Sequence, residues 1–335
     1  MKIKYLPCQP HCFAFGGFDL QMIHTLEAVK NTGIEADKLN PWERDNNFDI
    51  IHLWGLDSSN YRTAYFAKKE QKKIVLTALT GYVKGKLDNF KVELLNKLQI
   101  TNYNLELVKL IDSFVVLNEG QAEAACQFYK VPEKIISIIP AIVNDNFFSN
   151  NGRDNYFKKY YGIQNFVLTT GNVGQRKNQL NLAKACVKIG KPLVIIGNLA
   201  SGEFEYGNEL KKIVDKHENI YWLTEIDNDS PILISAYQEC ILFALISNNE
   251  QQPISPIEAA VLGKPIILAD KTYAKQDYFN NSLLTNPNSI DEISESLLKT
   301  ISNPEMFKIN IEKLNIFKST SVGEKYKILY YNLFQ

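Results

Sequence analysis

A chain of 335 residues is longer than one hydrophobic core usually serves, so two domains are expected. Its apolar and charged fractions, 45% and 22%, are those of an ordinary globular protein. Lys plus Arg equals Asp plus Glu at 37 each, which excludes the large positive excess that phosphate-tracking proteins carry, so no nucleic-acid partner is expected.

The opening MKIKYLPCQPHCFAF is interrupted by Pro and polar residues before an apolar signal core can form, and no window reaches 18 apolar residues, so neither a leader nor a membrane span is predicted. Lys2 to Leu6 alternates as a short strand. After a loop, Gly16-Gly17 opens an amphipathic helix carrying Leu20, Ile23, Leu26, Ala28 and Val29. Strand Asp49–Trp54, helix Tyr61–Gln71 and strand Ile74–Leu79 follow, then a Gly- and Lys-bearing loop from Gly81 to Lys86 and helical stretches at 88–99 and 104–111. Strand Ser113–Leu117, helix Glu119–Tyr129 and strand Ile135–Ile139 close the first half. Seven Lys between Lys68 and Lys91 outweigh Glu70 and Asp88. A solvated helix face and loop account for them, and the other reading is peripheral contact with anionic lipid at the inner membrane face.

Polar residues 144–155 break the pattern and read as the interdomain connection. It restarts with strand Phe166–Thr170, helix Lys177–Ile189, strand Leu193–Ile196, helix Glu203–Lys216, strand Ile220–Leu223 and helix Ile232–Glu239. An apolar run Ile241–Ile246, a loop with a short helix, and a second run Pro265–Leu268 form a βαβ step. Strand Ser282–Thr285 and helices near 289–302, 304–316 and 320–333 complete the chain. Strands alternating with helices at this spacing predict an α/β protein of two Rossmann-like, doubly wound parallel-sheet domains facing a cleft. The domains are placed at 1–148 and 149–318, with a C-terminal helix in 319–335 packing back on the first.

Open parallel sheets bind ligands at the carboxyl ends of their strands. In Ser247 to Ala269, Glu250 lies on the loop after a strand and Glu258 in the first turn of the next helix, both at that edge. Ser255, Pro256 and Glu258 also spell a capping box, which needs no ligand; on these residues the two readings stand level. Gly171 to Asn178 (GNVGQRKN) places Arg176 and Lys177 at a predicted helix start, where cations oppose the macrodipole and suit a diphosphate. It is not a Walker A loop. Asp227-Asn228-Asp229 is a D-x-D that could hold a divalent ion, but with Pro231 following, Asp229 or Ser230 is more simply an N-cap. Five Cys, odd in number and mostly in apolar context, suit reduced thiols in a cytoplasm. Cys8, His11 and Cys12 lack the further ligands of a zinc site, so no metal is expected. His52, ending an apolar strand, reads equally as a ligand-facing or a core histidine.

Several stretches together resemble the family-4 (group 1) retaining glycosyltransferases with the GT-B fold. Glu250 to Glu258 resembles that family's E-x7-E signature, followed by Glu258-Ala259 through Gly263-Lys264-Pro265. TGNVGQRKN resembles its GR-x-x-x-x-K loop and Leu193–Asn198 its next strand. GGFDLQMIHTLEAVKNTGIEAD, FDIIHLWG and VPEKIISIIPAIVNDNFF resemble successive parts of its first domain. The resemblance implies metal-independent transfer of a hexose-type sugar from a UDP- or GDP-sugar, bound as substrate with no cofactor, to a glycan or lipid-linked acceptor in surface polysaccharide synthesis. It implies that Glu250 holds the transferred sugar, Lys177 aided by Arg176 neutralises the diphosphate, and Glu258 binds the ribose. Gly16, Gly17, Gly171, Asn172, Asn198, Ile254 and Ser255 would complete the donor site, with His52 and Thr80 on the acceptor side. Three departures stand out: Asn172 replaces the family's Arg, Gln251-Gln252-Pro253 its GFG, and Thr80 its frequent His. They keep open a non-catalytic subunit that binds a sugar nucleotide or a partner enzyme; a sugar-nucleotide epimerase is a further alternative.

Overall fold

A computed structural model describes residues 1–13, 16–82, 103–149, 155–224, 226–227 and 230–335. Among these residues, twelve strands form two six-stranded, all-parallel sheets: β1 (Lys2–Pro7), β2 (Glu35–Lys38), β3 (Ile50–Trp54), β4 (Lys73–Thr77), β5 (Ser113–Val116) and β6 (Ile136–Ile138) in the first, and β7 (Val167–Thr170), β8 (Leu193–Ile196), β9 (Ile220–Leu223), β10 (Leu242–Leu245), β11 (Ile266–Ala269) and β12 (Leu283–Thr285) in the second. The doubly wound α/β class read from the sequence is thus the observed one.

Chain contacts divide the molecule into Met1–Ile142 with Ile316–Gln335, and Val143–Asn315. The breaks fall at 142/143 and 315/316, a few residues before the expected 148 and 318.

In the first unit the strand order is β2-β1-β3-β4-β5-β6. The central strands are continuous apolar runs because both faces are covered by helices, and every residue of β3 is buried. β2 is not anticipated: in its EADK only Ala36 is apolar and buried, as suits an edge strand with one covered position. Helix Ser319–Asn332 packs on helix Gly17–Asn31. A Cβ on Gly323 would stand 2.6 Å from the Ala28 carbonyl oxygen, so the approach of the two helices depends on that glycine.

The same C-terminal helix delivers Tyr326 and Tyr330 to His52. Both ring nitrogens are engaged, Nδ1 with the Tyr330 hydroxyl at 2.7 Å and Nε2 with the Thr77 hydroxyl at 2.8 Å. Tyr330 bonds Tyr5 at 2.6 Å and Tyr326 bonds Thr77 at 3.2 Å. Burial drives the His52 pKa down to about 3. His52 is therefore a neutral, satisfied core histidine with no free atom to offer an acceptor, contrary to its proposed acceptor-side place.

In the second unit the order is β12-β11-β10-β7-β8-β9. Chain direction across the sheet reverses between β7 and β10, which makes their carboxyl ends the topological switch point where such sheets bind ligands. The register pairs Leu242 with Val167 and Phe243 with Leu168, so Thr170 and Leu245 end their strands at one level.

The expected helix at 304–316 is instead two short 3-10 segments, Pro304–Phe307 and Ile311–Phe317. The presumed linker contains a helical turn, Asp145–Phe148, whose Phe147 is buried. The expected helix 88–99 lies outside the described residues. Among the described residues no helix is long and apolar enough to cross a membrane.

Candidate active site

Two loops meet at the switch point of the second sheet. The first leaves β7 through Gly171, whose φ of +113° disfavours a side chain, and a Cβ there would lie 3.2 Å from Lys177 Cε and 3.3 Å from its Nζ. The glycine thus lets the lysine lie across the backbone. The amides of Lys177 and Asn178 both donate to the Gly174 carbonyl, at 2.9 and 3.1 Å. Asn178 is left-handed at φ +58°, and its side-chain amide donates to the Pro287 carbonyl at 2.8 Å. The helix therefore begins at Gln179 rather than at Lys177, and Arg176 and Lys177 belong to the preceding turn.

The second loop leaves β10 and is laced to the first. Asn248 N–H donates to the Arg176 carbonyl at 2.8 Å and Ser247 Oγ donates to it at 3.0 Å. Arg176 Nη1 donates to the Asn249 carbonyl at 2.9 Å. The Tyr273 hydroxyl holds the loop from beneath through the Ser247 carbonyl at 3.2 Å. These bonds carry Glu250 to the cations: its Oε1 is 2.7 Å from Arg176 Nη1 and 2.9 Å from Lys177 Nζ. The Glu250 and Lys177 side chains are 9% and 12% exposed, while Arg176 is half open at 52%. Burial pushes the Glu250 carboxyl up, but the charges of Lys177 and then Arg176 outweigh it and leave the group below the usual carboxylate range.

Glu258 stands in the helix Ser255–Val261. The residue before this helix is Ile254, with no side-chain cap, so the capping-box reading does not describe it. The Glu258 carboxylate instead accepts a 2.7 Å hydrogen bond at Oε2 from the Tyr237 hydroxyl. Burial raises its pKa to about 7, against smaller downward pulls from that hydrogen bond and from the Lys177 charge. Lys177 thus acts on both carboxylates, one a fixed anion at neutral pH and the other near its midpoint.

The remaining candidates are more dispersed. Asn172 and Asn198 are exposed beside the first loop, where the Asn198 carbonyl accepts from Val173 N–H at 2.8 Å. Ile254 and Ser255 are half-buried at the helix start. In the other unit, Gly16 precedes helix Gly17–Asn31 with extended backbone, and its N–H is taken by Asp19 Oδ2 at 2.9 Å. Gly17 has open space where a Cβ would stand. Thr80 is buried and its hydroxyl donates to the Gln121 carbonyl at 2.7 Å.

Of Asp227-Asn228-Asp229, the last two lie outside the described residues; Ser230 caps the next helix, accepting from Ile232 N–H at 3.2 Å. Within Lys68–Lys91, Lys68 pairs with Asp112 at 2.9 Å, Lys69 sits over Tyr65 and Lys72 over Phe48; Lys84, Lys86 and Lys91 lie outside the described residues. The five cysteines are free.

Sequence reasoning does not pick out Tyr237 and Thr170, which complete the surroundings of Glu258. The only signal is a tyrosine inside the apolar helix Pro231–Glu239, since a buried tyrosine hydroxyl usually finds a partner.

With this geometry in hand, comparison with known proteins is specific. Residues 154–314, just under half of the chain and nearly all of the second unit, match the family described as Glycosyl transferases group 1. Over 146 residues the chain is 31% identical to the Escherichia coli proteins O-antigen biosynthesis glycosyltransferase WbnH and probable O-antigen biosynthesis glycosyltransferase WbiN. The match covers 44% of this chain and 40% of each relative, so the chain spans about two fifths of the length of the curated relatives it matches.

Among solved structures, Anabaena HepE in complex with UDP superposes with a TM-score of 0.75 at 14% identity, over 99% of this chain and 100% of that one. Sucrose-phosphate synthase from Thermosynechococcus elongatus gives 0.73 at 14%, over 100% and 99%. The whole chain accordingly has the two-sheet GT-B fold, and its second unit is similar in sequence to the group 1 glycosyl transferases.

Proposed function

We propose that the chain is a retaining glycosyltransferase that moves a sugar from a nucleotide diphosphate sugar to a glycan or lipid-linked acceptor. The observation that carries this reading is the meeting of Lys177, Arg176, Glu250 and Glu258 at the switch point of the second sheet. HepE, of the same fold, is described in complex with UDP and with UDP-glucose, which supports a UDP-sugar, with a GDP-sugar as the alternative. The O-antigen names of the two E. coli relatives support a place in surface polysaccharide synthesis, with the protein in the cytoplasm and touching the inner membrane face through Lys68–Lys91.

In this reading the bond between the anomeric carbon and the diphosphate oxygen breaks, its electron pair leaving with the diphosphate. The acceptor hydroxyl adds on the face just vacated, and its proton passes to the departing diphosphate oxygen. Lys177 and Arg176 meet the charge growing on the leaving group, as fixed cations in a partly dry site do at little reorganisation cost. Glu250 holds the hydroxyls of the transferred sugar, and Glu258 those of the ribose. Gly171, Asn172, Asn198, Ile254 and Ser255 line the donor, and no metal takes part.

The test is incubation of the full chain with UDP- and GDP-sugars and crude lipid-linked glycan, following the anomeric proton by NMR. Transfer with the donor's configuration, unaffected by a chelator, is expected. Binding without transfer or donor hydrolysis identifies a non-catalytic subunit, and an epimerised nucleotide sugar formed without acceptor identifies an epimerase; either result rejects the transferase reading.

A further inference from the structure

Behind Glu258 runs a chain of hydroxyls that the donor chemistry above does not use. Thr170, the last residue of β7, lies 2.6 Å from the Tyr237 hydroxyl, which in turn donates to Glu258 Oε2 at 2.7 Å. Since the tyrosine proton points at the carboxylate, the threonine proton must point at the tyrosine oxygen, giving a directed relay from strand end to carboxylate. The tyrosine ring has no freedom to wander. It is fully buried, stacks on Phe243 with centroids 5.5 Å apart and meets Phe147 edge-on at 5.3 Å. Three elements far apart in sequence thus fix one oxygen of one carboxylate, and the strand that supplies Thr170 continues directly into Gly171 and the Lys177 turn.

We infer that Tyr237, itself held by Thr170, is a positioning residue for Glu258: its hydroxyl takes Oε2 and leaves Oε1 to accept from the hydroxyls of a bound nucleotide. This rests on the donor reading above and adds to it a residue that never touches the donor. A carboxylate free to rotate would share its oxygens between internal and ligand hydroxyls. Once Oε2 is occupied, the acceptor direction is set before the ligand arrives, which lowers the ordering cost of binding. The relay also supplies a hydrogen bond to the charged form, and the ammonium of Lys177 adds its charge. Both favour the ionised form against the larger opposing effect of burial.

The test compares the full chain with Tyr237→Phe, which keeps the ring in its aromatic seat and removes only the hydroxyl. The Glu258 carboxyl is followed by 13C NMR, its signal assigned by its loss in Glu258→Gln, while UDP and GDP binding is measured by calorimetry near pH 7. In Tyr237→Phe, Glu258 should titrate at higher pH than in the parent, and affinity for whichever nucleotide the parent binds should fall roughly tenfold, the scale of one lost bond to a charged group. Thr170→Val, which leaves Tyr237 in place, should shift both in the same direction by less; it carries the test should Tyr237→Phe fold poorly. An unchanged Glu258 titration in both variants, or a shifted titration with unchanged nucleotide affinity, overturns the inference, whatever happens to thermal stability. A shifted titration in the variants, with a parent that binds neither nucleotide, rejects the donor reading and leaves the positioning of Glu258 standing.

Discussion

Two glutamates with seven residues between them in one loop and helix end up with opposite proton affinities, and neighbours rather than burial decide the difference. Glu250 is ion-paired to two cations, whereas Glu258 has one hydroxyl and a more distant ammonium. The folded pKa of Glu258, about 7, lies above its ordinary value of 4.5. The native state therefore holds this proton more tightly than the unfolded chain, and its contribution to stability declines as pH rises from about 4.5 to about 7. Glu258→Gln should consequently be more stable than the parent near pH 8, by up to roughly 3 kcal/mol, with the gap closing below about pH 4.5. Urea unfolding across that range checks this, and equal stability at all pH contradicts it. A side chain the fold would be more stable without is what a ligand-binding role would leave behind.

Lys177→Ala strips a largely buried carboxylate of its more buried partner and should cost about 3 kcal/mol by denaturant titration. Arg176→Ala, at an exposed partner, should cost under about 1 kcal/mol. The pair Glu250 and Glu258 was legible as a spacing. The tie between Tyr237 and Glu258 was not, because its partners are 21 and 67 residues apart in sequence and a side chain's direction on a buried helix leaves no trace in periodicity.

At the scale of elements, the strands of both sheets could be read from apolar runs punctuated by loops, since strands buried on both faces have little sequence freedom. The errors fall where backbone chemistry overrides pattern. The helix after β7 starts at Gln179 because Asn178 is left-handed and tied to Pro287. The S-x-x-E at Ser255 looks like a capping box, yet its glutamate turns to Tyr237 instead of the backbone. β2 was missed because an edge strand with one buried alanine has almost no hydrophobic signal. The contact of helix Gly17–Asn31 with helix Ser319–Asn332 depends on Gly323, where an added methyl would meet the Ala28 carbonyl at 2.6 Å. Gly323→Ala should force the helices apart and lower stability by about 2 kcal/mol, measured by urea unfolding; an unchanged or raised midpoint contradicts the packing described.

For the molecule as a whole, each unit carries its own titrating core group. His52 in the first unit is held neutral, its pKa lowered from 6.5 to about 3 by burial. The unfolded chain takes up that proton first as pH falls, so the histidine's contribution to stability erodes from about pH 6.5 down to about 3. Glu258 in the second unit works the other way between about 7 and 4.5. Hydrogen exchange corrected for intrinsic rates should show β1, β3 and β4 losing protection between pH 7 and pH 5, and His52→Leu should flatten that loss; protection that stays level in the parent contradicts the assignment.

The two-sheet fold and the loops bearing the site were legible because their order along the chain is itself a pattern. The satisfied state of His52 was not, since it depends on a helix 278 residues away. The central claim is that Lys177 and Glu258 serve one nucleotide diphosphate site in the second unit. Calorimetric titration of the full chain with UDP and GDP, beside Lys177→Ala and Glu258→Gln, tests it most directly. One nucleotide should bind the parent with a Kd between about 1 μM and 1 mM, weakened at least tenfold in both variants. Binding to neither nucleotide, or equal binding by parent and variants, would contradict the account.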